Sequence, residues 1–569
     1  IDPMFGTMED LDNLIAEGEK RNIGLMFDMV FNHTSTSHEW FRRALAGEKK
    51  YQDYYIFKEG APDQPPTNWQ SKFGGSAWEY VSSLGKWYLH LFDVTQADLN
   101  WKNPEVREEL KEVIRFWKAK GVKGFRFDVV NLISKPEIWE DDFEGDGRKF
   151  YTDGPYVHEY LKELVRDTGI EDYVTVGEMS STTLEHCIRY SGAEEKELSM
   201  CFNFHHLKVD YKDGNKWELM EPDYMELKVI FEKWQMGMQR GNAWNALFWC
   251  NHDQPRIVSR FGNEGEYWKE SAKMLAGMIH LMRGTPYIYQ GEEIGMTNPH
   301  YTSIEQYADV ESRNYYEILL NEGKTKEEAL EILAARSRDN SRTPMQWTDE
   351  RYCGFSDTKP WIPVSDNFEK INVKKQKQDR DSILEFYKKL IMLRKEKEVI
   401  ARGNIEFMEV ENAGVLAYTR CLDKQKLLVC CNFRDVESQM EFTQEWKSGR
   451  KILGNFISVG LFQYQTKGMF RMIQLIYGSK GSGKTKRLIE MVNAEVNATD
   501  GSVVFMDDNK RYMYDVDRAV RFVDVTEYNV DSEEKLYGFL CGMLAQNFDI
   551  SAIYMDAFLH MIGKRRVFV

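Results

Sequence analysis

Two stretches decide the fold: Gly24-Leu-Met-Phe-Asp-Met-Val-Phe31 and Gly124-Phe-Arg-Phe-Asp-Val-Val130. Each is a short apolar run bounded by glycine, too short for a buried helix and of the right length for a buried strand. Helix signals precede both. Thr7-Met-Glu-Asp10 has the spacing that satisfies free N–H groups at a helix start, and Leu11, Leu14 and Ile15 then share a face. Asn103-Pro104 caps and opens a second helix, in which Val106, Leu110, Val113, Ile114 and Trp117 share a face and which Gly121 ends. Strand-like runs recur at 173–176, 198–204, 245–249 and 286–289, separated by helical stretches. Alternation of this kind predicts an α/β fold, either a parallel sheet or a β/α barrel.

Outside that pattern the texture changes. Residues 34–100, rich in Trp, Tyr, Gly and Pro, read as an insertion after the first strand. A helix over 381–397 leads into alternating segments at 415–420 and 426–433, which predict a small antiparallel β-domain. Residues 457–470 carry no pattern, and a new strand opens at Met472. The chain has 569 residues, of which 42% are hydrophobic and 13% aromatic, enough for large cores and too much for a disordered chain. Eight cysteines without a C-x-x-C pair exclude a disulfide scaffold and argue against structural zinc. A net charge of −16 argues against nucleic-acid wrapping. No apolar run of about 18 residues is present, so no membrane span is expected, and a cytoplasmic setting is the default.

Three acids end separate predicted strands: Asp128 in Gly-Phe-Arg-Phe-Asp, Glu178 in Val-Thr-Val-Gly-Glu and Asp253 in Phe-Trp-Cys-Asn-His-Asp. In a β/α barrel that end carries the active site. Retaining glycoside hydrolysis needs two carboxylates about 5–5.5 Å apart, one as nucleophile and one as acid/base, and a third acid would stabilise the cationic transition state. Strand-end acids also cap helices, so the pattern alone leaves both readings open.

The motifs Asp28-Met-Val-Phe-Asn32-His33, Gly124-Phe-Arg126-Phe-Asp128, Glu178 and Phe248-Trp-Cys-Asn-His252-Asp253, in that order, resemble those of the α-amylase superfamily, glycoside hydrolase family 13. Within it, Glu178-Met-Ser-Ser-Thr-Thr, Phe202-Asn-Phe-His-His-Leu-Lys208 and Ser337-Arg-Asp-Asn-Ser-Arg342 most resemble the phosphotrehalases, over residues 1–456. The resemblance implies Asp128 as nucleophile, Glu178 as general acid/base and Asp253 as transition-state stabiliser. It implies Arg126 beside Asp128, holding it ionised. Asp28, His33 and His252 are implied to line the first sugar subsite, with Arg342 clamping the terminal glucose. The implied substrate is a phosphorylated disaccharide, whose dianion needs a local cationic pocket on this acidic chain. His205 and Lys208 are the first candidates for it, with Arg256 and Arg260 behind them. Relatives acting on neutral α-1,6 or α-1,4 glucosides are the alternative. No cofactor or metal is implied for the hydrolase.

A complete family barrel begins with two further strand–helix units. The expected architecture is therefore an incomplete (β/α)8 barrel of six strands (1–33 and 101–380), with an inserted domain B (34–100) and a truncated β-domain (381–456). A junction (457–471) and a partial P-loop domain (472–569) follow. The first and last barrel strands would keep bare edges, so weak activity or poor solubility is expected of this chain. Gly478-Ser-Lys-Gly-Ser-Gly483-Lys484-Thr485 fits the phosphate-cradling loop G-x-x-x-x-G-K-[ST] between a strand and a helix, which implies ATP or GTP with Mg²⁺. Asp556, or Asp507 as its rival, would be the strand-end acid beside the metal. Three organisations remain open at this stage: a hydrolase fragment joined to an unrelated P-loop fragment, a natural bifunctional enzyme, and an inactive nucleotide-binding module.

Overall fold

The computed structural model describes residues 1–408, 412, 414–433, 446, 450–454, 461–464, 484–496, 502–546 and 550–561. The chain divides into two compact units, Ile1–Glu441 and Phe442–Val569.

In the first unit six short parallel strands follow one another across a sheet. They are β1 (Met26–Met29), β2 (Gly124–Phe127), β3 (Val174–Glu178), β4 (Met200–Phe202), β5 (Ala246–Leu247) and β6 (Thr285–Pro286). Neighbours pair in that order, except that β4 meets β5 through the single parallel bridge Cys201–Asn245. The helices on its outer side include α1 (Met8–Glu19), α2 (Pro104–Ala119), α3 (Val157–Thr168), α4 (Leu184–Ser191), α5 (Tyr224–Arg240) and α6 (Trp268–His280). Their starts follow the sequence signals. Thr7 accepts from the Asp10 amide while Asp10 accepts from the Thr7 amide, and Asn103 caps α2 with Pro104 behind it. The apolar stripe of α2 packs against the sheet, where Val106, Ile114, Phe125, Phe127 and Leu161 are all fully buried.

The strands are shorter than the apolar runs that predicted them. Residues 245–249 form only a two-residue strand because Phe248 and Trp249 leave the ladder while staying buried, and Trp249 Nε1 donates to the Leu275 carbonyl of α6 (2.7 Å). Burial, not pairing, explains their hydrophobicity.

The insertion after β1 carries its own strands. His33–Ser35 pairs antiparallel with Gln96–Asp98, and Lys86–Leu89 pairs with both Phe57–Glu59 and Trp78–Val81. Trp69, Trp78, Trp87, Leu89 and Leu91 form its core. After the sheet, α7 (Ile383–Glu396) starts at Ser382 and leads to the antiparallel strands β7 (Asn404–Met408), β8 (Val415–Leu422) and β9 (Gln425–Asn432). Two buried polar side chains tie β8 back: Tyr418 donates to the Met278 carbonyl (2.7 Å) and Arg420 to that of Leu281 (2.6 Å).

Glu292 is buried beside α7 and accepts from Tyr387 (2.9 Å), while its second oxygen has no partner among the described residues. Burial pushes its carboxyl up from the ordinary 4.5 to about 7, the Tyr387 hydrogen bond opposing this. A carboxyl raised in the fold favours the protonated native state. Its contribution is therefore full below about 4.5 and is lost as pH rises through about 7. Glu292→Gln should flatten the fall in Tm between pH 5 and pH 8, a difference of at most ~3 kcal/mol. Parallel Tm profiles for wild type and variant would refute this.

The second unit contains a parallel sheet in which β10 (Ser502–Asp507) lies between β11 (Arg521–Asp524) and β12 (Ile550–Met555), with α8 (Lys484–Val496) and α9 (Glu533–Gln546). The predicted strand at 472–477 and the loop glycines Gly478 and Gly483 lie outside the described residues. Residues 461–464 of the predicted junction form a strand, paired antiparallel with Arg450–Leu453, as the alternation Leu461-Phe-Gln-Tyr464 permits.

Candidate active site

The register of the first three strands builds the centre of the site. Asp28 of β1 stands opposite Arg126 of β2, and Arg126 stands opposite Val176 of β3, two residues before Glu178. Side chains two apart on a strand share a face, so Arg126, Asp128 and Glu178 converge. The Arg126 guanidinium lies 2.5 Å from Asp28 and 3.0 Å from Asp128, and it also contacts Glu178. The backbone turns sharply after each acid: Val129 follows Asp128 with φ +36°, and Ser181 lies three residues after Glu178 with φ +55°. A β-branched residue at positive φ is strained by roughly 1–3 kcal/mol, a cost the packing around it must offset. Gly177 allows β3 to approach its neighbours. A Cβ there would sit 2.6 Å from Leu198 and 3.1 Å from Val130.

Asp128, directly after β2, and Asp253, six residues past β5, differ electrostatically. For Asp128 burial is the largest influence and raises its pKa, with Arg126 opposing and Asp28 adding to the rise. The Arg126 contact expected from the sequence is present and favours the charged form, while desolvation outweighs it. For Asp253 burial also acts upward, yet His252, Arg338 and Arg342 together hold the carboxyl below its ordinary value. Arg342 donates to Asp253 (2.5 Å) and to the His252 carbonyl (2.7 Å), and Arg338 lies 3.5 Å from Asp253 while bonding Asp309 (2.5 Å). His252 Nε2 is 3.6 Å from Asp253.

His33 is buried, and that burial pushes its pKa down despite the charges of Asp98 and Asp128. A network not apparent in the sequence holds it. Asn32 Nδ2 lies 3.3 Å from His33 Nδ1 and donates to Asp98 (2.9 Å), while Lys135 bonds Asp98 (2.7 Å) and Asn32 Oδ1 (2.8 Å). Gln96 lies 2.9 Å from His33 Nε2. Within the sequence the only pointer was Asn32-His33 itself; Asp98 lies on the strand paired with His33–Ser35, and Lys135 comes from a separate segment.

The expected phosphate-binding residues fare unevenly. Lys208 is exposed just past the turn His205–Leu207, which follows β4. His205 is not a cation there: it packs on Trp234 (4.7 Å), and burial lowers its pKa to about 4. Arg256 and Arg260 are withdrawn as candidates. Arg256 is 1% exposed and donates to the carbonyls of Gln290 and Ser341. Arg260 is bound to Asp210 (2.7 Å), which Arg336 also engages.

In the second unit, Thr485 lies in the first turn of α8, as does Lys484. Asp507 ends β10, and Asp556 follows the adjacent β12. Burial and the Asp556 charge push Asp507 up to about 7.

A parallel-stranded barrel fold with acids converging at its strand ends and an antiparallel C-terminal β-domain defines a class of carbohydrate-active enzymes. The model of the alpha-amylase catalytic domain matches residues 1–403, and the chain belongs to that family of glycoside hydrolases. It is 53% identical over 452 residues to the trehalose-6-phosphate hydrolase of Escherichia coli (strain K12), covering 79% of this chain and 81% of that protein. It is 45% identical over 449 residues to the oligo-1,6-glucosidase of Bacillus cereus, covering 78% and 80%. Among solved structures, the trehalose-6-phosphate hydrolase of Bacillus licheniformis superposes with a TM-score of 0.78 at 50% identity, covering 80% of this chain and 86% of that one.

Proposed function

We propose that the chain hydrolyses trehalose 6-phosphate with retention of configuration, giving glucose and glucose 6-phosphate. Asp128 attacks the anomeric carbon as Glu178 gives its proton to the departing glycosidic oxygen. Water, deprotonated by Glu178, then breaks the Asp128–sugar bond. Asp253 faces the cationic sugar of both transition states, while Asp28, His33, His252 and Arg342 hold its hydroxyls. The observation that carries this reading is the Arg126 side chain contacting Asp28, Asp128 and Glu178 together. It brings the nucleophile and the acid to one guanidinium.

Glu178→Gln tests the division of labour. Turnover of the disaccharide should fall by roughly 10²–10⁴-fold, and that of a dinitrophenyl glucoside, whose leaving group needs no proton, far less. Equal losses on both substrates would remove Glu178 from the acid role. The neutral-sugar reading has support in the likeness to the oligo-1,6-glucosidase. Competition between trehalose 6-phosphate, trehalose and isomaltose separates the two, and preference for either neutral sugar would overturn the phosphosugar assignment.

In this reading the barrel strands present are six of a family eight, the hydrolase acts in the cytoplasm, and residues 472–569 are a partial nucleotide-binding domain. Support for the last is the placement of Thr485 at a helix start and of Asp507 and Asp556 at adjacent strand ends. Lys484 and Thr485 would face the phosphates and Mg²⁺ of ATP or GTP, with Asp556 behind the metal.

A further inference from the structure

Asp128 and Glu178 stand at the ends of neighbouring strands, yet the pairing between those strands stops before either of them. The last partners of β2 and β3 are Phe127 and Gly177. Beyond them each chain turns through a residue at positive φ, Val129 and Ser181, and such conformations persist only where the surrounding contacts over-determine them. One side chain carries the connection onward. Asn131, three residues past Asp128, is wholly buried, and its amide engages both polar groups of the Ser180 backbone, two residues past Glu178. Its Oδ1 accepts from the Ser180 N–H (2.9 Å) and its Nδ2 donates to the Ser180 carbonyl (2.8 Å). A primary amide offers the donor and acceptor of a peptide unit, so Asn131 adds a rung past the point where the two backbones part.

Asn131 is itself held from the far side. Its carbonyl accepts from the Asp153 amide (2.9 Å), and its Nδ2 also donates to Asp153 Oδ1 (3.1 Å). The Asp153 carboxylate takes two further donors, the hydroxyls of Tyr190 on α4 (2.7 Å) and of Thr182 (2.9 Å). Ser180 and Thr182 are thereby tied down on either side of Ser181, the residue at positive φ. Asn131, Ser180, Thr182 and Asp153 close a ring that joins the turn after the nucleophile to the turn after the acid. Asp128 has a separate support, its amide donating to the Met29 carbonyl of β1 (3.1 Å). Loosening the ring would therefore free the end of β3, and Glu178 with it, more than the end of β2.

We propose that Asn131, seated on Asp153, is a positioning residue that fixes Glu178 relative to Asp128. The proposal rests on the roles given to those two acids above. Retention requires their carboxyls to be about 5–5.5 Å apart. A misplacement on the order of 1 Å costs about 100-fold in rate even when its origin lies outside the reacting groups.

The test is kcat/KM of the full chain on a series of aryl α-glucosides whose phenols run from strongly to weakly acidic, for wild type, E178Q, N131A, N131D, N131D/D153N and Y190F. The dependence on leaving-group acidity should be shallow in wild type and steep in E178Q. N131A should lose about 10- to 100-fold on the weakly acidic phenols and far less on dinitrophenol, with kcat changing more than KM. N131D sets a second carboxylate against Asp153 and should behave as N131A does. In N131D/D153N the donor and acceptor are exchanged, and part of the loss should return. Y190F removes one bond at the rim of the network and should steepen the dependence less, so it decides the matter if N131A is not recovered folded. A side chain that only supports the fold would lower every substrate by one factor. Dependences parallel to wild type in N131A or, failing that variant, in Y190F, or no recovery in the double variant, would overturn the positioning role and leave the function standing. A shallow dependence in E178Q would remove the acid role from Glu178 and the functional reading with it.

Discussion

Asp128→Asn should reduce turnover of both phosphorylated and neutral α-glucosides on the order of 10⁴-fold or more, because no other group can form the covalent glycosyl intermediate. It should do so without loss of stability. The native carboxyl is raised above its ordinary value near 3.8, chiefly by burial. The protonated carboxyl therefore contributes its stability below that value, and the contribution is lost as pH rises through the native one. Asparagine removes the charge, and Arg126 keeps Asp28 and Glu178 as partners. The variant should melt at or above the wild-type Tm at pH 7. The smaller variant Asp128→Ala should recover turnover with azide, which attacks the face that the carboxylate used and gives the β-glucosyl azide. An α-azide product, or a residual rate within tenfold of wild type, would take the nucleophile role away from Asp128.

Lys135→Ala carries the largest expected effect on stability. Lys135 and Asp98 are 3% and 0% exposed at their side chains, 2.7 Å apart. Burial pushes the Lys135 ammonium down, and Asp98 opposes it. Removing the lysine leaves a carboxylate enclosed without its counter-charge, at a cost of about 3–5 kcal/mol. Asp98 still accepts from Asn32 and from the Leu91 amide (2.9 Å each), so the fold should persist at a lower Tm. Asn32 Oδ1 loses its donor in turn, and the His33 ring loses its support, so KM should rise more than kcat falls. Lys135→Met combined with Asp98→Asn should lose less than the sum of the single changes. Strict additivity would show that the pair is not coupled.

The parts of the site legible in the sequence are those in which neighbouring letters or strand periodicity carry the geometry. Asp28, Arg126 and Glu178 lie on paired strands and Asp128 directly follows β2, so a period of two places them together. The phosphate side was less legible. Arg256 and Arg260 looked like available cations because sequence does not show which carbonyl or carboxylate consumes a guanidinium, and Asp210 lies 50 residues from Arg260. Asp98 ends a three-residue strand of the insertion and Lys135 lies 37 residues further on, and only folding brings the two together. The net rise of the Asp128 carboxyl was hidden for a similar reason. A charged neighbour is visible in Arg-Phe-Asp, whereas the depth of burial is a property of the packed chain.

Arg126 does more than set charge. Its contacts span three parallel strands, β1, β2 and β3, and each depends on the residue at one position of a ladder. A slip of β2 by a single residue would turn the guanidinium to the opposite face of the sheet and separate all three acids at once. The same side chain is thus a proofreader of assembly: a molecule whose strands have settled one step out of place has no partly working site to betray it. For this protein, specific activity counts correctly registered molecules.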